Sequence, residues 1–307
     1  MTEVHKFGGG CLRDAAALRQ MAHIVNRYFN GPTVIVVSAF GKTTDQLTYI
    51  ANASKYELKH VNQEFSQVRK FHKKIIDELF GEENKRITLE FDEIMNSLDQ
   101  SIVDIKKYKD VALAVDQITP IGEILSSKIV SRYLKHKGIN NVFSYAGDFI
   151  RTDTNFGQAN VCKEKTKILL KKCLSPQLSK NGQMVVTQGF IGRTSLSIPY
   201  VLNYEFSTTL GREGSDYTAG LIANLLGVKK VVLWKDVPGI MNINPKSHGG
   251  EKAVLLSDIS YHKCAQLLAT TANGLIHQRT LNEVMEGGIP LYIKDFWHPD
   301  NEGTVVH

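Results

Sequence analysis

Residues 3–10 read EVHKFGGG, a short segment that leads directly into three glycines. Asp14 follows as a candidate N-cap, so this stretch predicts a strand over about Glu3–Phe7, a glycine turn and a helix beginning near Asp14. Glycines let a backbone approach a phosphate closely, and Lys6 offers a point charge beside them. An ordinary strand-to-helix turn is the alternative, because neither a Walker motif nor G-x-G-x-x-G is present.

The rest of the chain repeats this alternation of strands and helices. TVIVVS at 33–38 is β-branched and is flanked by glycines, which is typical of a strand buried on both faces. Long helical periodicity over about 45–110 indicates a helical insertion. The pattern predicts a mostly parallel sheet covered on both faces, with a soft boundary between lobes near Tyr200. The remaining predicted strands are 141–145, 183–188, 230–233 and 290–294, and the remaining predicted helices are 122–137, 161–173, 216–226 and 257–270.

Composition excludes several classes of protein. No apolar run approaches the roughly 18–20 residues that cross a bilayer, and no signal peptide is apparent, so we expect a cytoplasmic location and no membrane partner. The four cysteines are scattered without metal-ligand spacing, and no metal-binding residues are predicted. The net charge of +6 suggests affinity for anions. Nucleic acid is not an expected partner, because the basic residues lie mainly on amphipathic helices without interleaved aromatic residues.

A second glycine-containing turn lies in TLGREGSDYT at 209–218. Arg212 is placed between glycines there, where a guanidinium can hold a carboxylate through two hydrogen bonds. Ser215 or Asp216 serving only as a helix cap is the alternative.

A third turn follows the predicted strand in VVLWKDVPGI at 231–240. The polar loop after this strand can form a nucleotide pocket, and Trp234 is interpreted as a core residue. Lys246, a little further along, either reaches phosphates or is solvated. Since ligands bind beyond the carboxyl ends of the strands in an open parallel sheet, the three turns indicate one site.

These turns occur together with several other segments in a recognisable order. The segments are KFGG at 6–9, VVSA at 36–39, GKTTD at 41–45, GE at 122–123, QGFIG at 188–192, GREGSDY at 211–217 and WKDVPG at 234–239, followed by 260–261, 277–280, 293–294 and 303–304. In this order the chain resembles the catalytic domain of aspartokinases, which belong to the amino-acid kinase superfamily. The resemblance implies an α/β fold, a three-layer αβα sandwich with a mostly parallel central sheet plus the helical insertion. It also implies an N-terminal lobe over 1–200 that binds the amino acid and a C-terminal lobe over 201–307 that binds ATP.

The resemblance further implies roles for individual residues. Lys6 and Asp216 are the implied catalytic residues, with Asp216 organising the lysine and the metal. Arg212 is expected to hold the α-carboxylate of the amino acid and Glu123 its α-ammonium. The implied amino-acid site consists of Thr44, Glu123, Arg212, Glu213, Gly214 and Ser215. The implied nucleotide site consists of Lys6, Phe7, Gly8, Gly9, Lys235, Asp236, Met241, Lys246, Gly274 and Leu275.

The implied reaction is transfer of the γ-phosphate of ATP to the β-carboxylate of L-aspartate. Its product is 4-phospho-L-aspartate, on the way to lysine, threonine and methionine, and its ligands are ATP, Mg²⁺ and L-aspartate. A carboxylate nucleophile needs no general base, since its pKa lies near ~4. Positioning and neutralisation of phosphoryl charge by Lys6 and Mg²⁺ must then supply catalysis. The resemblance also admits a homodimer.

Six positions depart from the aspartokinase pattern in the character of the side chain. They are Gly10-Cys11 for Thr-Ser, Glu213 for a common Gly, Lys235 for Thr, Met241 for Tyr, and Gly274 for a lysine expected near the ATP phosphates. Losing one charged contact to a transferring phosphate costs ~2–4 kcal/mol, or ~30–1,000-fold in rate. Lys246 keeps the charge of the arginine that it replaces, and Lys235 offers a compensating charge.

Two other functions stay open on the sequence. A kinase of the same fold could act on another carboxylate or carbamate, because Arg212, Glu123 and Thr44 do not fix the length of the substrate side chain. A degenerate nucleotide-binding or regulatory protein is supported by Gly274 and Glu213. Aspartokinases usually continue into ACT regulatory domains where this sequence ends, so regulation through such domains is not expected. A stand-alone form and a shortened one are both compatible with that ending.

Overall fold

A computed structural model describes residues 1–53, 58–81, 85–104, 110–180, 183–198, 201–243, 252–271 and 275–307. The strands in this part of the chain are β1 Glu3–Phe7, β2 Thr33–Val37, β3 Asn141–Phe143, β4 Met184–Gln188, β5 Ile191–Ile198, β6 Val201–Thr209, β7 Val231–Lys235, β8 Asp258–Ile259, β9 Leu291–Asp295 and β10 Thr304–Val306. Eight of them form one sheet in the order β3-β4-β2-β1-β7-β9-β10-β8, and β5 and β6 form a separate hairpin. Neighbouring strands of the large sheet are parallel, except β9 and β10.

Helices cover both faces of the large sheet. They are α1 Ala15–Tyr28, α2 Thr43–Ala53, α3 Leu58–Phe80, α4 Lys85–Asp104, α5 Val111–Ile118, α6 Pro120–His136, α7 Lys163–Cys173, α8 Ser175–Leu178, α9 Gly214–Leu226, α10 Tyr261–Thr271 and α11 Gln278–Glu286. Helices α1 to α6 contribute to one hydrophobic core, and α7 to α11 contribute to the other. The expected three-layer αβα sandwich with a mostly parallel sheet is therefore confirmed.

The central strands are apolar on both faces because both faces are covered. In β2, Ile35 and Val37 belong to the core under α1, whereas Val34 and Val36 belong to the core under α9. Side chains alternate across a strand, so a continuous β-branched run is what a strand buried on both faces requires. Helix α1 begins where predicted, because the Asp14 side chain accepts a hydrogen bond from the Ala17 amide at 2.8 Å.

Several elements differ from the sequence prediction. The hairpin of β5 and β6, helix α11 and strand β10 were not predicted, and the helix expected over 257–270 starts only after the short strand β8. The helical insertion is present as α2, α3 and α4. The division into an amino-acid lobe and an ATP lobe near residue 200 stays a prediction.

None of the helices in the described ranges combines the length and the apolar character that are needed to cross a lipid bilayer.

Candidate active site

A cavity of about 490 Å³ opens at the carboxyl ends of β1 and β2, beside the N-terminus of α9. The predicted site residues around it are Lys6, Gly9, Thr44, Glu123, Arg212, Glu213, Gly214 and Ser215. The cavity lies at the edge where the parallel strands β2, β1 and β7 end, and β1 is the middle one of the three. The cationic side chain of the first strand and the guanidinium of the later glycine loop thus share one pocket.

The first glycine turn is shaped by close backbone contacts. A Cβ atom on Gly9 would lie 2.7 Å from the Ala39 carbonyl oxygen and 2.9 Å from that of Gly41, so only glycine fits. The Gly41 amide in turn donates to the Gly9 carbonyl at 3.2 Å. A Cβ on Gly8 would lie 3.1 Å from the Lys6 ammonium nitrogen, so the missing side chain keeps space open beside that charge.

Asp216 joins two lysines at the bottom of the site. Lys6 Nζ lies 2.5 Å from Asp216 Oδ1, and Lys235 Nζ lies 2.7 Å from Asp216 Oδ2. Burial alone would raise the pKa of Asp216, but the two ammonium groups outweigh burial and hold this pKa below its ordinary value. Burial likewise tends to lower the pKa of Lys235, yet Asp216 raises it overall. Asp216 and Lys235 are therefore both charged at neutral pH.

Glu123 lies across the cavity with one carboxyl oxygen unpaired. Its Oε1 accepts a hydrogen bond from the Thr44 hydroxyl at 2.9 Å, whereas Oε2 is buried and makes no hydrogen bond within the described part of the chain. Burial raises the pKa of Glu123 to about 8, and the Thr44 bond offsets only part of that effect. A buried oxygen that faces a polar cavity without a partner is suited to bind a donor such as an ammonium group.

The second glycine turn leads directly into α9. Gly211 has φ +75° and Glu213 has φ +54°, so Glu213 adopts a left-handed conformation in which glycine is more usual. The N-cap of α9 is Glu213, whose side chain makes no capping hydrogen bond. The alternative that Ser215 or Asp216 serves only as the cap is therefore wrong. Arg212 is exposed at the rim of the cavity and forms no ion pair among the residues that the structure describes.

The residues predicted to bind the nucleotide differ in how accessible they are to a ligand. Asp236 is exposed, and its Oδ2 would lie 3.7 Å from a Cβ on Gly10, so it borders the first glycine turn. Met241 forms an isolated antiparallel β-bridge with Leu255. Leu275 packs against the core under α9. The Phe7 side chain is fully buried, so only its backbone is available to a ligand. Lys246 and Gly274 lie outside the described residues.

Trp234 is a core residue, as interpreted from the sequence. Its ring is 2% exposed and stacks on Phe7 with 5.9 Å between ring centroids. Its indole N–H donates to Nδ1 of the buried His5 at 3.2 Å.

Two residues that shape the site had been given no site role from the sequence. Asp116, buried in α5, accepts hydrogen bonds from the amides of Gly157 and Thr209. Arg279 in α11 donates to the Leu210 carbonyl at 2.7 Å, just before the second glycine turn. Asp116 could not be distinguished because isolated charges on helices are usually solvated, and Arg279 was recognised only as part of a segment that carries the resemblance.

Known proteins match nearly the whole chain. The amino acid kinase family matches residues 1–295. Aspartokinase 2, chloroplastic, from Arabidopsis thaliana is 28% identical over 312 residues, which cover 100% of this chain and 54% of that relative. The bifunctional aspartokinase/homoserine dehydrogenase 2 of Escherichia coli (strain K12) is 27% identical, covering 99% of this chain and 35% of that protein. The chain thus spans about half, or less, of these relatives.

Among solved structures, E. coli aspartokinase III in complex with aspartate and ADP superposes with a TM-score of 0.88 at 26% identity. The match covers 100% of this chain and 64% of that one.

Proposed function

The chain belongs to the amino acid kinase family, and we propose that it is an aspartate kinase, which transfers the γ-phosphate of ATP to the β-carboxylate of L-aspartate. The observation that carries the proposal is the single cavity lined by Lys6, Glu123 and Arg212. It offers a carboxylate for an α-ammonium, a guanidinium for an α-carboxylate and an ammonium for a phosphoryl group. Likeness to a structure solved with aspartate and ADP supports this choice of ligands.

In the proposed complex, Arg212 and Glu123 orient the amino acid so that its side-chain carboxylate points toward Lys6. That carboxylate attacks the γ-phosphorus, an acyl-phosphate bond forms, and ADP leaves. Lys6 neutralises charge on the transferring phosphoryl group, which is the main contribution that a protein makes to such a reaction. No proton needs to be removed from the nucleophile, so this reaction requires no general base.

Mg²⁺ is expected with ATP, and Asp236 offers a carboxylate for it. The described residues contain no group of three or more His, Cys, Asp or Glu that could hold a metal by themselves. Mg²⁺ in nucleotide sites usually takes one or two carboxylates together with substrate phosphates. Asp236 fits this need, since its carboxylate is exposed beside Gly10, whereas both oxygens of Asp216 already face ammonium groups. The bound ion would supply further neutralisation of phosphate charge.

The proposal is tested by trapping acyl phosphate with hydroxylamine after incubation with Mg-ATP and single amino acids. We expect hydroxamate with L-aspartate, and none from a Lys6→Ala variant that melts at the wild-type temperature. If only another amino acid yields hydroxamate, that acid and not L-aspartate is the substrate. If no acid reacts while ATP raises the melting temperature, the chain is a nucleotide-binding protein and the kinase proposal fails. Cytoplasmic location and a homodimer stay predictions.

A further inference from the structure

Lys235 reaches the same carboxylate as Lys6 from the neighbouring strand. β1 and β7 are parallel, with Lys6 opposite Leu233. Val4 in β1 and Leu233 in β7 both belong to the core under α9, and side chains alternate along a strand. Lys6 and Lys235 therefore both project toward α9, whose first turn carries Asp216.

The two lysines differ in their access to the cavity. Lys6 lines it, whereas Lys235 is not among the described residues that do. Asp216 is fully buried, and the Lys235 side chain is 14% exposed. One carboxylate thus holds two ammonium groups, one on each oxygen, and the one on Oδ1 faces the substrate cavity.

This arrangement solves an electrostatic problem for phosphoryl transfer. If Lys6 were the only partner of Asp216, the buried carboxylate of Asp216 would lose its counter-charge whenever the Lys6 ammonium turned toward a phosphate. Removing one partner of a buried ion pair is strongly unfavourable, because the remaining charge is desolvated and uncompensated. With Lys235 on Oδ2, Asp216 stays neutralised after Lys6 has turned away.

We propose that Lys235 is a positioning residue that keeps Asp216 paired and so frees the Lys6 ammonium to bind the γ-phosphate of the nucleotide. The proposal rests on the proposed kinase function. It replaces the nucleotide contact that the resemblance implied for Lys235, and it gives a role to a lysine at a position where the aspartokinase pattern has threonine. Lys235 acts on the phosphate only through Lys6, and that restriction makes it testable by binding alone.

The test is a cycle of the variants Lys6→Met, Lys235→Met and the double variant. Affinities for ADP and for the non-hydrolysable β,γ-imido analogue of ATP are measured by calorimetry with Mg²⁺. The proposal predicts that Lys235→Met reduces the preference for the analogue over ADP by about tenfold and leaves ADP affinity within about twofold. Lys6→Met should reduce the preference at least as much, and the double variant no further than Lys6→Met alone.

Several controls separate this role from a structural one. Lys235→Arg keeps the charge and should restore most of the preference. Lys230→Met, at the residue just before the same strand and paired with Glu3, should leave it unchanged. Additive losses in the double variant, a loss of ADP affinity in Lys235→Met, or an unchanged preference in that variant would each overturn the proposal. These outcomes do not depend on acyl-phosphate formation, so failure of the kinase function is recognised separately by the hydroxamate assay.

Discussion

At the scale of single residues, Glu123 determines how the candidate site responds to pH. Its pKa is raised to about 8 by burial. The free protein therefore carries a neutral Glu123 below that pH, although an α-ammonium group requires the carboxylate. We expect kcat/KM for the amino acid to rise about tenfold per unit between about pH 6 and pH 8, and to level off above, in steady-state kinetics.

The matched variant for this prediction is Glu123→Gln, which cannot titrate. It should lower kcat/KM for the amino acid and flatten its pH profile. The profile for ATP at saturating amino acid should change far less, because in the proposed complex Glu123 binds the amino acid and not the nucleotide. A flat wild-type profile from pH 6 to pH 8 would contradict the assignment of Glu123 to the α-ammonium.

At the scale of elements, one carboxylate ties α5 to the end of β6. Asp116 Oδ2 accepts from the amides of Gly157 and Thr209, each at 2.9 Å, and Oδ1 accepts from the Thr209 hydroxyl at 2.6 Å. Gly157 and Thr209 both line the cavity, and Thr209 immediately precedes the second glycine turn. The position of Arg212 therefore depends on a contact between two elements that are distant in sequence.

We expect Asp116→Asn to disturb the amino-acid end of the cavity. An amide has one acceptor oxygen, so at least one buried donor loses its partner, at a cost of about 1–3 kcal/mol in the free energy of unfolding. KM for the amino acid should rise about fivefold or more, with KM for ATP within about twofold. Asp110→Asn is the control on the same helix, because Asn caps a helix as well as Asp. Equal increases in both KM values would refute the specific role of Asp116.

These elements also mark what could be predicted from the sequence. The bounds of β1 matched the prediction and those of β2 nearly so, since β1 ends at a run of glycines and β2 is a β-branched run flanked by turn residues. The hairpin of β5 and β6 was missed because β5 is rich in Gly, Arg, Ser and Thr, although Leu202, Tyr204 and Phe206 alternate with polar residues in β6. The meeting of Lys6 and Arg212 in one pocket followed from parallel strands ending at one edge. The contacts of Asp116 and Lys235 depend on how helices approach the sheet, which no local pattern encodes.

At the scale of the whole molecule, two buried groups make folding depend on pH in opposite directions. His72 lies in α3 within the core, between Phe40 and Phe91, and Nε2 makes no hydrogen bond in the described part of the chain. Burial lowers its pKa from 6.5 to about 4. Between these values the unfolded chain binds a proton that the folded protein does not, so stability falls as the pH falls. Glu123 behaves oppositely, because its folded pKa is raised from 4.5 to about 8, so stability rises as the pH falls through that range.

The two effects overlap between about pH 4.5 and pH 6.5 and offset each other there. A variant that lacks one group should therefore show the pH dependence that the other group gives to stability. We expect His72→Phe, relative to wild type, to gain stability progressively as the pH falls from 6.5, by about 3 kcal/mol at pH 4. Glu123→Gln should instead gain stability relative to wild type as the pH rises from 4.5 to 8. Urea unfolding at several pH values measures both differences, and repacking around Phe adds only a constant offset. If the difference in unfolding free energy between each variant and the wild type did not change with pH, neither group would be held in its neutral form by burial.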